Sequence, residues 1–321
     1  MPLTIRPFAD SDYEPFVDLH NAAAPSGAIT VAEQRDQDAN PNPQLLSARW
    51  VAERDGALVG ACAYGQSADL YHPRKFIVSV WVDPPSQRHG LGGALYAHLC
   101  AQLAPLEPVA LQARAYEDDA PTLRFLARRG FAEDFRVWES RLDVARSDLA
   151  TLPGLERQLA AQGVRILAYE ELAGDPRRDE QLYALDCALL ADVLSPVESA
   201  PLPFERYVRR ILHNPQVRPY FVAVKDGEYI GLSYARPNAA SQGLDIEMTG
   251  VRREWRRRGL ATALKLRGIE YACRHGLSNV RTWNDTINQP ILALNQALGF
   301  VHQPALIFFE TANVGGEPAA P

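Results

Sequence analysis

The sequence predicts an α+β fold built twice in tandem, and three observations carry that prediction. First, the chain repeats itself. Gln87-Arg88-His89-Gly90-Leu91-Gly92 aligns with Arg256-Arg257-Arg258-Gly259-Leu260-Ala261 at an offset of 169 residues, and Gly130-Phe131 lies the same 169 from Gly299-Phe300. Upstream, RWVAERDGALVGACAY matches PYFVAVKDGEYIGLSYA, with Gly60 and Gly231 separated by 171. Three landmarks in one order at nearly one offset mark two copies of one fold. Second, each copy holds an Asp-Gly pair between apolar runs, Asp55-Gly56 and Asp226-Gly227, the strongest short hairpin signal. Third, strands and helices mix without strict βαβ alternation, which favours an α+β layer over a doubly wound sheet.

The elements follow in matched order. An apolar-periodic helical region opens each copy, at 13–24 and 180–193, and the hairpin comes next. A strand rich in β-branched residues spans 76–82 or 244–251. A glycine-containing loop then leads into a long helix, 90–103 or 259–275. A strand at 109–113 or 279–283 precedes a helix that ends in Arg-Gly-Phe or Leu-Gly-Phe. A last strand, 136–142 or 305–310, closes each copy. The expected organisation is a first domain at 1–142, a linker at 143–163, a second domain at 164–311 and a disordered tail at 312–321.

Composition narrows the function. A chain of 321 residues with 47% apolar and 22% charged side chains has material for two cores. Its net charge of −6 argues against nucleic acid as a partner. Cys62, Cys100, Cys187 and Cys273 are scattered without a CxxC pair, and no His/Cys/Asp/Glu spacing suggests a metal site. No apolar run has the length of a membrane span or the flanks of a signal peptide, so the expectation is a cytoplasmic protein.

A strand, a glycine loop and a helix form an anion site. The helix's first-turn N–H groups lack partners and the macrodipole adds about half a positive charge. The stretch REWRRRGLATAL adds four arginines to such a start. A charge-assisted hydrogen bond from each is worth roughly 1.5–3 kcal/mol. Two familiar phosphate loops are excluded: Leu95 stands where the third glycine of G-x-G-x-x-G belongs, and neither copy ends in GK[ST].

Val82-(x4)-Gln87-x-x-Gly90-x-Gly92 and Val251-(x4)-Arg256-x-x-Gly259-x-Ala261 resemble the acetyl-CoA signature Q/R-x-x-G-x-G/A of the GNAT N-acetyltransferases. The runs ending in Gly130-Phe131 and Gly299-Phe300 resemble that family's second motif, and the two-copy plan is similar to tandem members of the mycothiol synthase type. The resemblance implies two GNAT-like domains, each a mixed, mostly antiparallel twisted sheet flanked by helices, with its fourth and fifth strands splayed. Pantetheine of acetyl-CoA would then pair with the fourth strand near Trp81 and Val82, or near Thr249, Gly250 and Val251. Its pyrophosphate would rest on Arg88, His89, Gly90, Leu91, Gly92 and Gly93, or on Arg257, Arg258, Gly259, Leu260, Ala261 and Thr262, behind the signature residues Gln87 and Arg256.

N-acetylation needs a neutral amine, and deprotonating an alkylammonium at pH 7 costs roughly 4.6 kcal/mol. A carboxylate near the thioester is therefore the expected base. Glu247 lies on the strand that faces the cofactor; Val78 is its counterpart at the 169 offset, and Asp245, which shares its face by period 2, is the substitute candidate. The family's second motif carries an Asn eleven residues before the Gly, matched by Asn288 but replaced by Asp119 in the first copy. The family's acidic Tyr, four before that Gly, is replaced by Asn295 and Leu126, which leaves Tyr234 or water as acid. Asn284, Asn288 and Asn295 are candidate cofactor contacts, with helix capping as the competing role of Asn284 and Asn288.

The expected function is an N-acetyltransferase whose second copy is catalytic, acting on a small-molecule or peptide amine. The first copy binds cofactor weakly or only shapes the substrate cleft, and the protein is a monomer or homodimer. A non-catalytic acyl-CoA sensor is the alternative, told apart by acetyl transfer above hydrolysis. RNA binding through Arg252 to Arg258 is a third reading, set against the acidic total and the lack of interleaved aromatics. Specificity is expected in 22–47 and 190–218, with acidic Asp36, Asp38, Asp192 and Glu198 and basic Arg206, Arg209 and Arg210.

Overall fold

A computed structural model describes residues 3–24, 28–39, 42–67, 71–193 and 201–315, so Glu198 and most of the expected tail lie outside the described residues. The chain forms two compact units, one running to Arg136 and resuming at Leu306, the other Val137–Ala305.

The first unit is built from β1 (Thr4–Pro7), α1 (Tyr13–Ala23), α2 (Val31–Ala39), β2 (Ser47–Arg54), β3 (Ala57–Gly65), β4 (Lys75–Val82), α3 (Leu91–Leu103), β5 (Ala110–Tyr116) and α4 (Ala120–Ala127). The following strand β6 (Ala132–Asp143) runs on into the second unit. There it is joined by α5 (Leu152–Ala160), β7 (Val164–Ala168), α6 (Arg178–Leu190), α7 (Phe204–Tyr207), β8 (Tyr220–Lys225), β9 (Glu228–Asn238), β10 (Gly243–Val251), α8 (Leu260–Arg274), β11 (Asn279–Asp285), α9 (Gln289–Ala297) and β12 (Val301–His302). The last strand, β13 (Leu306–Thr311), returns to the first unit.

The sequence-predicted elements are present, and the hairpins owe their tightness to the residues expected. Asp55 and Gly56 (φ 54° and 79°) and Asp226 and Gly227 (φ 49° and 82°) are both left-handed, as a two-residue turn matching the strand twist requires. Sheet order is β1-β2-β3-β4-β5-β13 in the first unit and β7-β8-β9-β10-β11-β6 in the second, where β12 also pairs β6. One parallel pair stands in each, β4 with β5 and β10 with β11, among antiparallel neighbours.

Two expectations need correction. The last strand of each copy does not close its own sheet: from Val137 onward β6 pairs with β11, and β13 pairs with β5. The 143–163 stretch is not a free linker. Its helix α5 buries Leu152 and Leu159 in the core beneath α8, because their spacing gives it an apolar face.

Both sheets are covered on two faces. In the second unit Leu260, Leu264 and Ile269 of α8 pack on Leu244, Ile246 and Val280, while Leu182, Leu185 and Leu189 of α6 pack on Tyr220, Val222 and Leu232. In the first, α3 packs on Phe76 and Leu111, and α1 places Phe16 and Leu19 against Val51 and Ala61. The glycines matched in the repeat let the long helices approach. A Cβ on Gly60 would lie 2.9 Å from Leu95 and 3.1 Å from the Trp81 carbonyl; on Gly231 it would lie 3.1 Å from the Gly250 carbonyl.

Gly231→Ala is therefore expected to cost about 1–3 kcal/mol through overpacking against fixed backbone. Gly154→Ala, in α5 with open space around it, should be neutral or stabilising by up to about 1 kcal/mol. Urea midpoints check both, and equal effects would contradict this account of the close packing.

Candidate active site

In the second unit β10 and β11 exchange hydrogen bonds only from Gly243 to Ile246 and from Asn279 to Thr282. Beyond that point they part, although β10 stays with β9 and β11 with β6. A gap opens inside the sheet, edged by backbone groups of both strands. At its mouth β10 is bulged. Ile246 pairs with Ala235 and Met248 with Tyr234, so Glu247 is an extra residue.

The bulge shifts the strand's phase. Leu244 and Ile246 face the α8 core, but Met248 packs on the α6 core and Gly250 faces Leu189 of α6. Thr249 points the other way and shares a 2.9 Å hydroxyl contact with Ser233. Glu247, its side chain a third exposed, accepts a hydrogen bond from Arg236 Nε at 2.8 Å. Asp245 is not a free substitute. Arg281 donates to both of its oxygens at 2.8 Å, and Asn238 adds a third bond at 3.0 Å.

The first unit has a similar parting after Ile77 and Gln112, but β4 runs against β3 without a break, and Val78 is buried. Trp81, at the position of Gly250, fills the α1 side against Phe16 and His20, both ring centroids 5.5 Å away. The first unit therefore lacks both the carboxylate and the bulge that would present it.

The two loops share a backbone. Each has a 3-10 turn, Pro84–Ser86 or Arg253–Trp255, then left-handed residues at Arg88 and Gly90 (φ 65° and 83°) or Arg257 and Gly259 (φ 60° and 80°). Alternating φ signs turn successive N–H groups toward one side, and α3 and α8 begin at Leu91 and Leu260, adding first-turn amides. His89, Gly92 and Gly93 lie in this turn, as do Ala261 and Thr262 in the other copy.

The arginines are not all available to an anion, as their sequence cluster suggested. Arg253 Nε donates to both Asp192 oxygens at 2.9 Å, and Arg256 Nη2 reaches Asp192 at 2.6 Å, which together hold that carboxyl below its ordinary range. Arg256 Nε also donates to the Val251 carbonyl at 3.0 Å, and Gln87 does the same for Val82 at 3.2 Å. The signature residue thus ties the loop to its strand. Arg258 stacks on Trp255 at 4.6 Å. Arg257 is exposed and makes no side-chain bond or ion pair among the described residues, so it is the cation left free.

Behind the gap lies a polar chain that sequence reasoning missed. Lys265, in mid-α8 and 1% exposed, donates to Asn295 Oδ1 at 2.8 Å; Asn295 Nδ2 donates to Asn284 Oδ1 at 2.8 Å. Asn295 is itself only 1% exposed, which overturns its expected direct contact with cofactor. Asn284 is half-buried on the stretch of β11 that pairs with β6 but no longer with β10. Asn288 starts α9 without a side-chain capping bond, whereas Asp119 caps α4 by accepting from Thr122 N at 3.1 Å. The capping role therefore fits Asp119 and leaves the Asn288 amide open.

On the opposite face, Asp186 of α6 has a buried Oδ1 without a partner among the described residues, and burial raises its pKa to about 7. It neighbours Tyr207, Tyr220 and Tyr234; the first two share a 2.9 Å hydroxyl bond and the last two stack at 5.1 Å. Burial holds the Tyr234 phenol well above its usual range, which keeps it protonated. Asp186 was legible as an acidic residue on the apolar stripe of Leu182, Leu185 and Leu189. Among the described residues no His/Cys/Asp/Glu group is arranged to hold a metal, and no helix is long and apolar enough to cross a membrane.

The model of the acetyltransferase (GNAT) family matches residues 13–131 and 187–300. A mycothiol acetyltransferase of Thermobispora bispora is 27% identical over 299 residues, covering 90% of this chain and 92% of that protein. One from Thermobifida fusca is 28% identical over 267 residues, 78% of each chain. Among solved structures, a tandem GNAT protein from the clavulanic acid biosynthesis pathway superposes with a TM-score of 0.76 at 22% identity, covering 99% of this chain and 100% of that one. A GCN5-related N-acetyltransferase from Sphaerobacter thermophilus gives 0.69 at 18%, covering 96% and 95%.

Full burial without a counter-charge lowers the Lys265 pKa from 10.5 to about 7. Between those values the unfolded chain holds a proton that the folded chain has released, so stability rises with pH there, by up to about 1.4 kcal/mol per unit. Lys265→Met removes this component. The variant should exceed the wild type in unfolding free energy most at pH 7, and the difference should narrow toward pH 9. Denaturant titrations across that range measure it, and a difference that does not change with pH would contradict a buried, proton-releasing lysine.

Proposed function

The chain belongs to the acetyltransferase (GNAT) family and is an acyltransferase, and from that premise we propose that its second unit moves the acetyl group of acetyl-CoA to a primary amine of a small molecule by direct attack on the thioester. The observation that carries this reading is the bulge that presents Glu247 at the mouth of the β10–β11 gap.

The residues present suit the donor. An amide-bearing arm can satisfy the unpaired edge of β10 from Glu247 to Val251, as an added strand would. A pyrophosphate suits the turned-out amides of the 257–262 loop and the free Arg257 guanidinium. Asn288 and Asn284 offer side-chain amides beside them. Acetyl-CoA supplies the acetyl group in an activated thioester.

Glu247 takes the proton that the attacking ammonium must lose, directly or through water, with Arg236 holding its carboxylate in place. Backbone N–H groups at the bulge are fixed donors for the oxyanion that develops on the carbonyl. Tyr234, kept protonated by burial beside the bulge, is a hydrogen-bond donor for the departing sulfur. On the α6 face, the buried Asp186, its carboxyl pKa raised to about 7 by burial, lies among aromatic rings as an unpartnered acceptor that an amine could meet. A small-molecule acceptor accords with the mycothiol acetyltransferases to which the chain is similar. In the first unit, Val78 and Trp81 occupy the corresponding positions, which supports a unit that holds cofactor weakly or not at all.

With an amine found by screening amino sugars, aminoglycosides and peptides for thiol release from acetyl-CoA, Glu247→Gln should lower kcat at least tenfold with the acetyl-CoA KM nearly unchanged. Full turnover in that variant would exclude Glu247 as base. Arg257→Ala should raise the acetyl-CoA KM about tenfold, the loss of one charge-assisted bond of roughly 1.5 kcal/mol; a rise confined to the amine KM would contradict the phosphate role.

A further inference from the structure

Lys265 is a buried amine without a counter-ion among the described residues. Among the described residues it makes one hydrogen bond, to Asn295, and lies 5.5 Å from the Phe300 ring centroid. Leaving a Lys there costs stability, and the first unit shows that the fold does not require it. At the 169 offset the positions of Lys265, Asn295 and Asn284 hold Tyr96, Leu126 and Ala115. The whole polar chain is present in one copy and replaced in the other, in step with Glu247 and its bulge.

The chain has a direction, and Lys265 sets it. Lys265 Nζ donates to Asn295 Oδ1 at 2.8 Å, and its ammonium form can only donate, so in that form the Asn295 atom facing it is the oxygen. That turns the Asn295 N–H2 group to Asn284, whose oxygen must then accept. Asn284 is left with its N–H2 group unspent among the described residues, on the stretch of β11 that has parted from β10. Without the lysine, either amide can turn over, and Asn284 would present carbonyl or N–H2 alike.

We propose that Lys265 is a positioning residue: acting through Asn295, it holds the Asn284 side chain with its N–H2 group as donor to a carbonyl oxygen of the acetyl-CoA arm in the β10–β11 gap. This rests on the acetyl-CoA reading of that gap. The lysine touches no ligand itself. Its contribution is to remove one of two orientations of a hydrogen-bonded pair before the ligand arrives.

The test is calorimetric titration of acetyl-CoA into the intact protein and its Lys265→Met, Asn284→Ala and doubly substituted variants, with thermal unfolding of each. Lys265→Met should weaken acetyl-CoA binding five- to tenfold while its unfolding temperature stays the same or rises, a pattern that a merely structural lysine would not give. On the Asn284→Ala background the same substitution should have no further effect, because the group it orients is gone. Wild-type affinity in Lys265→Met, or losses that add in the double variant, would overturn the positioning role and leave the acetyl-CoA reading intact. A wild-type protein that binds no acetyl-CoA would overturn both.

Discussion

Two parallel strands that stop exchanging hydrogen bonds partway along a sheet leave backbone donors and acceptors to be satisfied some other way, and the organisation of the second unit follows from that constraint. The gap between β10 and β11 stays open because each strand is held on its other edge. The partner of β11 is β6, whose register runs from Asn279 and Asp143 to Asp285 and Val137, past the point where β10 leaves. A strand from the end of the first copy therefore supports the outer side of the opening. The bulge at Glu247 sits where pairing ends, and the close approaches at Gly231 and Gly250 set the helices against the strand that borders it.

The two copies share a backbone and differ in the side chains that line it. The left-handed loop φ values agree within a few degrees, and β4 and β10 leave their parallel partners at matching residues, Ile77 and Ile246. The differences lie in side chains and in one inserted residue of pairing. Val78 packs where Glu247 is exposed, and an unbroken β4 keeps it turned into the core. Trp81 occupies the face that Gly250 yields to Leu189. Near the first loop, Phe125 lies 3.3 Å from where a Cβ on Gly92 would stand, and Arg129 stacks on Phe125 at 3.5 Å. Val78 and Trp81 are thus apolar and aromatic residues where the second unit has a charged and a small one.

Much of this was legible in the chain because it is local. The Asp-Gly turns, the Gly60 and Gly231 positions and the loop glycines each follow from the conformation of a few neighbouring residues, and repetition doubled every signal. Features set by distant partners were not legible. Nothing in REWRRRGLATAL shows that Arg253 and Arg256 are taken by Asp192, some sixty residues upstream. Period-2 reasoning put Asp245 and Glu247 on one face but could not show the bulge that follows, since a bulge exists only relative to the strand beside it. The exchange of β6 and β13 is likewise a choice between two equivalent sheet edges, and the repeat makes both edges fit by pattern. Lys265 is a charge within the buried run of α8, yet its partner Asn295 reads in the sequence as a replaced tyrosine and a candidate cofactor contact, not as a partner for a lysine.

The central claim is that the second unit's gap and loop take acetyl-CoA and the first unit's do not. Hydrogen–deuterium exchange of the intact protein with and without acetyl-CoA tests it at residue level. The account predicts added protection at 247–251 and 257–262, with 78–82 and 88–93 unchanged. Equal protection of both sets, or protection of the first set alone, would contradict it.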